Sequence, residues 1–480
     1  MSKKAKRSIS TFAILLAVLL LVSIATWICA GKTYTGEDGE LAEVVGATSS
    51  DIFMAPVNGW ADASDVITFV FCLGAFLAIV NATGALETGI HTLVRKLHGK
   101  ELALIWILMF VFSIGGTTYG MGEETVGFYI LLAATMMAAG FDPIVGAATV
   151  LLGAGSGVLG STINPFATGA AVAAATGVGV EVNMGTTYIL GIILWLLAYV
   201  LSALFVTAYA KKVRANKGSI LTAAQLEECQ KAYGGKDVQN AKLTGRQKGV
   251  LWLFALSFVV MILGFIPWGS LSESVYNFFG FTSFLTGAGL GDWWFFDAAT
   301  WFLLMGIIIG IVGLEDKSQL MTLIANGFGD MVSVNLVIAM ARATTVIMNT
   351  TGLGTWLVEA SVTALSQSGV SAGVFGLLDY ILHVGLSFLV PSSSGLAGLS
   401  APIVSPIVAG MGWSVETSIM INVAANGFVN LFTPTCGFIM GGLALARVPY
   451  ESWLKWAWKL LVALFVIVGV VLTIAMAVLS

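Results

Sequence analysis

Apolar runs of about 20 residues, each long enough to cross a bilayer as a helix, recur along the whole chain. The first spans Ser8 to Ala30 and follows the basic sequence MSKKAKR. A secretory signal has a shorter apolar run and a small-residue cleavage site, so this run is expected to remain as a first transmembrane helix. Only 10% of the 480 residues are charged and 58% are hydrophobic, whereas soluble domains carry about 25% charged residues. The chain therefore reads as an all-α polytopic membrane protein. Its four cysteines, Cys29, Cys72, Cys229 and Cys436, stand singly, and His91, His98 and His383 are scattered. Neither set suggests a disulfide framework or a zinc site.

Basic residues orient the spans, because Lys and Arg are retained on the cytoplasmic side. Lys3, Lys4, Lys6 and Arg7 place the N-terminus inside. The segment Gly31 to Asp65, with seven acids and one Lys, then lies outside. Arg95, Lys96 and Lys100 mark a return, and nine basic residues between Lys211 and Lys248 mark the largest cytoplasmic segment. The same crossing count puts Lys317, Arg447, Lys455 and Lys459 inside, so 20 of the 22 basic residues are cytoplasmic. Lys32 is external, and Arg342 lies within an apolar run. Residues 211–248 read as a cytoplasmic linker between a first repeat, 1–210, and a second, 249–480. A basic loop of this kind signals topology and not a nucleic-acid site.

The two halves resemble one another. IVNATGALET at 79–88 and IMNTTGLGT at 347–355 share N-x-T-G. GSGVLGSTINPFATG at 155–169 pairs with NGFVNLFTPTCG at 426–437, matching Gly157 to Gly427, Pro165 to Pro434 and Gly169 to Gly437. GGTTYGMGEE at 115–124 pairs with PSSSGLAGLS at 391–400, where Gly120 meets Gly395. All these pairs lie 268 to 275 residues apart and in one order. By the crossing count the halves run in opposite senses, so the expected architecture is two inverted-topology repeats. Each carries a broken transmembrane helix, about 143–178 and about 415–446. Each also carries a re-entrant hairpin, at about 102–139 from the cytoplasmic side and about 372–410 from the external side.

Gly and Pro interrupting hydrophobic segments at matched places point to a transporter's substrate site near the midplane. Half-helix ends supply amide donors, and unwound carbonyls can coordinate Na⁺. The alternative is a pair of structural kinks satisfied by neighbouring Ser and Thr. Thr117, Thr118, Tyr119, Asn164, Thr168, Asn349, Ser392, Ser393, Ser394, Thr433 and Thr435 are the uncharged candidates for a small-molecule site. Thr162, Asn164, Gly120, Gly395 and Thr433 are candidates for Na⁺. Glu123 and Glu124 are adjacent acids in an apolar segment, costly unless paired with a cation, a proton or a substrate ammonium, or wetted at a mouth. Arg342 either holds a substrate carboxylate or neutralises a Glu. Asp379 and His383, four residues apart, make either a proton relay or a capped interfacial pair.

Other signals fall away. GKT at 31–33 lacks the upstream glycine of a phosphate loop, Thr26 standing there. The N-x-T sequons at Asn81 and Asn349 lie in apolar segments. No nucleophile and base cluster together, so an enzyme is not expected. A channel would need a continuous pore instead of tips converging from both faces. The coupling ion is Na⁺ or H⁺, and no other cofactor is implied.

GGTTYGMGEETVGFY, GSTINPFATG, ARATTVIMN and SSSGLAGLSAPI together resemble the YfcC-type family, described as basic amino acid antiporters and related to the DcuC-type C4-dicarboxylate carriers. The resemblance covers nearly the whole chain. It implies inverted repeats, two hairpins, a homodimer in the bilayer and elevator-type alternating access. Hairpin tips in the wider superfamily carry Ser-Asn-Thr signatures. Here they read Thr117-Thr118-Tyr119 and Ser392-Ser393-Ser394, a departure that bears on whether the dicarboxylate relatives' substrate carries over. The expected function is secondary active transport of amino acids across a bacterial inner membrane, with basic amino acid antiport first. A C4-dicarboxylate or peptide-like carboxylate is the alternative.

In a version lacking native cysteines, single cysteines in 211–248 should label only from the cytoplasm and those in 31–65 only from outside. External labelling of the linker would break the orientation scheme.

Overall fold

The computed structural model describes residues 11–36, 40–96, 100–215, 218–233 and 243–480. The basic residues Lys3, Lys4, Lys6 and Arg7, together with His98 and linker residues 216–217 and 234–242, lie outside these. A first helix, α1 (Thr11–Cys29), leads to an antiparallel hairpin of β1 (Thr33–Thr35) and β2 (Leu41–Glu43), with Thr33 opposite Glu43. Then come α2 (Ser49–Asp62), α3 (Ser64–Ala82), α4 (Ala85–Lys96), α5 (Glu101–Tyr119), α6 (Val126–Ala138), α7 (Pro143–Leu159), α8 (Ala170–Gly177) and α9 (Met184–Arg214). The linker holds α10 (Ala223–Tyr233). Beyond it run α11 (Gly245–Phe265), the short α12 (Trp268–Leu271) and α13 (Glu273–Phe279), and α14 (Phe295–Gly313). The chain finishes with α15 (Leu320–Thr350), α16 (Leu353–Ser366), α17 (Ala372–Leu389), α18 (Ser393–Gly410), α19 (Val415–Val429), α20 (Gly437–Leu445) and α21 (Tyr450–Leu479).

Helix starts follow the capping residues that the sequence supplies. Asp142 accepts from Val145 N at 3.2 Å with Pro143 in the first turn, Asn183 accepts from Thr186 N, and Ser414 accepts from Thr417 N. Inside the helices, hydroxyls bond back to their own turn, as Ser113 does to Phe110 O (2.8 Å), Thr149 to Val145 O and Ser257 to Leu253 O. This satisfies polar side chains in an apolar medium and lets the helices run on through them. The arms α5, α17 and α18 accordingly reach 19, 18 and 18 residues, while α6 has 13. Among the described residues ten helices are long and apolar enough to cross a membrane.

The order from α3 to α9 recurs from α15 to α21. In each half one helix, α7 or α19, packs against both arms of the preceding helix pair, while the arms barely touch each other. All 17 residues of α7 are buried, and so is every residue of α19 except Glu416. The two also pack on each other, because Gly427 leaves room only for the Leu159 backbone. The flanking helices are exchanged: α14 packs on α3, and α2 packs on α15. The tips are offset from the sequence pairing. Gly120 lies in the turn after α5, but its expected partner Gly395 is already inside α18, and the break in the second half falls at Val390–Ser392.

The linker is not a bare tether, since α10 packs on α6 and Glu228 meets Arg447 at 3.2 Å. On α21, Trp458, Val462, Val466, Val470, Ile474 and Val478 are exposed while Leu460, Leu464, Val468, Leu472 and Met476 are buried. A helix apolar on both faces needs protein on one side and lipid on the other.

Helices α5 and α7 cross where Gly116 faces Gly157, and a methyl group on Gly157 would lie 2.6 Å from Thr117 N and 2.9 Å from Gly116 Cα. Gly157→Ala should therefore cost about 1–3 kcal/mol in a thermal or denaturant melt of the purified protein. Gly177→Ala, whose methyl would meet nothing within 4 Å, should be neutral or mildly stabilising.

Candidate functional site

Both broken helices satisfy the backbone they expose. After α7, Thr117 Oγ1 donates to Gly160 O at 2.8 Å, and Thr162 donates to Thr117 O through its N (2.8 Å) and its Oγ1 (3.0 Å). Asn164 caps the next segment, accepting from Phe166 N at 2.9 Å and donating to Ser161 Oγ at 2.8 Å. Thr168 Oγ1 donates to Ser161 O at 3.1 Å. Pro165–Gly169 then forms a π turn that leads into α8. In the second half Thr433 and Thr435 share a hydroxyl bond of 2.6 Å, and Thr435 Oγ1 donates to Phe388 O at 3.1 Å. Tyr450 and Trp453 donate to Phe432 O and Leu431 O.

The tip after α5 depends on Gly120. Its φ is +77°, and a Cβ there would lie 2.6 Å from the Asn164 amide oxygen, so conformation and space both require glycine. Glu123 and Glu124 follow in a single 3₁₀ turn, where the buried Glu124 accepts from Gly122 N at 3.0 Å.

A cavity of about 160 Å³ opens between this tip and its counterpart. The first half contributes Gly120, Gly122, Glu123 and Phe166; the second contributes Ser392, Ser393, Ser394, Asn430, Thr435 and Cys436. Asp65 at the start of α3, Trp294 and Phe295 at the start of α14, and Arg342 from α15 complete the wall. The Nε of Arg342 lies 2.6 Å from Asp62 Oδ2, so its ion-pair partner is an Asp of α2, while Glu123 lines the same cavity. That pair is half exposed on the Asp side and contributes about 0–1 kcal/mol, which a competing carboxylate can replace. Asp65 accepts from Trp294 Nε1 at 2.7 Å.

The structure thus brings Gly120, Glu123, Arg342, Ser392, Ser393, Ser394 and Thr435 to one cavity. Thr117, Asn164, Thr168 and Thr433 are buried and engaged in the breaks. Thr118 bonds back to Ile114 O, and Tyr119 stacks on Phe265. Asn349 stands exposed at the end of α15, about two turns beyond Arg342. The Na⁺ candidates fall in two groups. Thr162, Asn164 and Gly120 adjoin the first break, while Thr433 bonds Thr435 and Gly395 N donates to Ser392 Oγ in the second half.

Sequence reasoning missed Asp62, Asp65, Trp294 and Asn430. The two aspartates read as part of an acidic external loop; their spacing across Ala63, where α2 gives way to α3, was the available signal. Asn430, the residue that caps the end of α19, continues a stripe of Asn422 and Asn426 that repeats every four residues.

Comparison with known proteins agrees with this architecture. The family model described as "C4-dicarboxylate anaerobic carrier", DcuC, matches residues 9–477. An uncharacterized protein of Haemophilus influenzae is 28% identical over 434 residues, covering 90% of this chain and 79% of that one. The "Putative basic amino acid antiporter YfcC" of Escherichia coli is 27% identical over 428 residues, covering 86% and 77%. The crystal structure of the Alcanivorax borkumensis YdaH transporter shares the fold, with TM-score 0.51, 18% identity, and coverage of 97% of this chain and 98% of that one. A predominantly helical chain with ten candidate spans among its described residues, matched by that family model over nearly its full length, belongs to the DcuC family and is a membrane transporter, not an enzyme.

Proposed function

We propose that this protein is a secondary active transporter of a bacterial inner membrane that carries amino acids, basic amino acid antiport being the favoured mode. The observation that carries the reading is the charge of the cavity. Asp65 and Glu123 line it, and Asp62 lies behind its one arginine, so carboxylates outnumber cations three to one. A basic amino acid brings two cations and one carboxylate. The cations suit Glu123 and Asp65, and the carboxylate suits Arg342 together with the serine hydroxyls of the second tip. The name carried by the Escherichia coli relative supports the same substrate class.

The mechanism proposed with it is elevator-type alternating access by a homodimer, coupled to Na⁺ or H⁺. The N-terminus would lie in the cytoplasm, the halves would have inverted topology, and the α5–α6 and α17–α18 pairs would be re-entrant. Their tips meeting at one cavity, and the recurring helix order, are what support it. A C4-dicarboxylate is the second reading, favoured by Arg342 and by the description of the matched family.

A thermal-shift screen of purified protein against lysine, arginine, ornithine, neutral amino acids, succinate and fumarate decides between them, because a ligand of the folded form raises the melting temperature. Lysine or arginine should stabilise. Glu123→Gln should then weaken binding by roughly tenfold to a hundredfold, the cost of about 1.5–3 kcal/mol for one charge-assisted contact. Stabilisation by succinate alone, lost in Arg342→Gln and kept in Glu123→Gln, would replace the amino acid reading with the dicarboxylate one.

A further inference from the structure

Away from the cavity, α17 buries an acid and a histidine completely. Asp379 is 0% and His383 1% exposed, and His383 Nδ1 lies 2.9 Å from Asp379 Oδ1 and 3.0 Å from the Asp379 backbone oxygen. One N–H cannot serve both oxygens well, and Asp379 Oδ2 has no hydrogen-bond partner at all among the described residues. A carboxylate so placed is expensive as a structural device, since an apolar pair of similar size would do no worse.

The pair is wired across three helices. His383 Nε2 meets Ser400 Oγ of α18 at 3.2 Å, and Ser400 Oγ also accepts from Asn422 Nδ2 of α19. One and two turns further along α19, Asn426 and Asn430 hold the second tip. Ser393 Oγ donates to Asn426 Oδ1 at 2.7 Å, and Asn430 Nδ2 donates to Pro391 O at 2.9 Å. One polar stripe of α19 thus runs from the buried pair to the cavity wall. The first half lacks it: α7 contains no Asn, and α5 has no ionisable side chain between Glu101 and Tyr119. The fold, which recurs without these residues, does not need them.

We infer that Asp379 and His383 form the binding site of a coupling proton, felt at the second tip through Ser400 and the α19 asparagines. This rests on the transporter reading above and adds the identity of the ion. With Asp379 ionised and His383 neutral the pair carries one negative charge. One proton taken from water on one side makes the pair net neutral, and its release to the other side restores the charge. On protonation of the ring, Nε2 becomes a donor, so Ser400 must change from donating to accepting. That turns a proton into a rearranged hydrogen bond between the arms of the tip.

No other charge competes. Helix α18 has no ionisable residue. On α19 Glu416 lies at the first turn and is bonded to Asn183 N and Ser414 Oγ. On α21 Glu451, Lys455 and Lys459 sit near the start, whereas Phe465, Gly469 and Met476 pack on α17. Glu359 of α16 is held by Thr35, and Tyr380, beside Asp379, stacks on Phe465.

In proteoliposomes containing a pH-sensitive dye, a lysine gradient should move protons through the wild type. Asp379→Asn and His383→Gln should lose that movement while keeping exchange of labelled for unlabelled lysine, which needs no net proton. Proton movement undiminished in both variants would overturn the inference, and so would a wild type that exchanges lysine without moving protons. If the wild type carries no amino acid, the substrate reading fails, and the site is tested alone by NMR of labelled histidine in the substrate-free protein. The His383 ring, assigned by difference from His383→Gln, should change protonation state as the pH is varied. Ser400→Ala should displace its midpoint without abolishing it. A ring that never titrates refutes the proton site. Should Asp379→Asn fail to fold, Ser400→Ala carries the same comparison, and an unmoved midpoint would count against the relay.

Discussion

Hydrocarbon offers no partner for a backbone amide, and the two breaks within the apolar core of this protein are governed by that fact. The two breaks after α7 and α19 release carbonyls at Gly160, Ser161, Leu431 and Phe432. Each is met by a side chain brought from elsewhere: Thr117, Thr168, Trp453 and Tyr450. The residues that made these segments conspicuous in the sequence are therefore largely occupied with holding the breaks open. What they leave free is the space beside them, where the tips of both halves and Arg342 converge.

The central pair α7 and α19 makes that geometry possible. Small residues let them lie against the arms and against each other at backbone distance, as at Gly116, Gly157 and Gly427. With no lipid-facing surface of their own, they fix the breaks at a constant place in the interior. The longer, two-faced helices such as α21 meet the bilayer instead.

Much of the fold was legible in the sequence, because apolar length and Gly/Pro interruption act locally. The class of the fold needed no distant contact. The site was legible only in part. Glu123, Arg342 and the serine tip announced themselves as polar groups in apolar runs. Asp62 and Asp65 did not, since acids next to an acidic loop look like solvated acids until α15 is seen to pack on α2. Asn164 and Thr433 stand as polar groups in apolar runs, and the local bonds they make, Asn164 with Phe166 N and Ser161 and Thr433 with Thr435, are not written in that pattern. The Gly120 and Gly395 pairing slipped because matching glycines do not require matching positions, and the break at Pro391 carries no glycine.

The exchange of flanking helices has a consequence for how the chain comes to be folded. Helix α3 finds its partner α14 only after some two hundred further residues have been made, and α7 waits still longer for α19. Until then α7 has α5, α6 and α9 of its own half to pack on, but the face that receives α19 stays uncovered. Its glycine-lined grooves stay open to the wrong neighbours, the state in which multi-part proteins misassemble. Synthesis of this protein is thus a matter of storage: the first half must be kept in the membrane, unpaired, until its complement arrives.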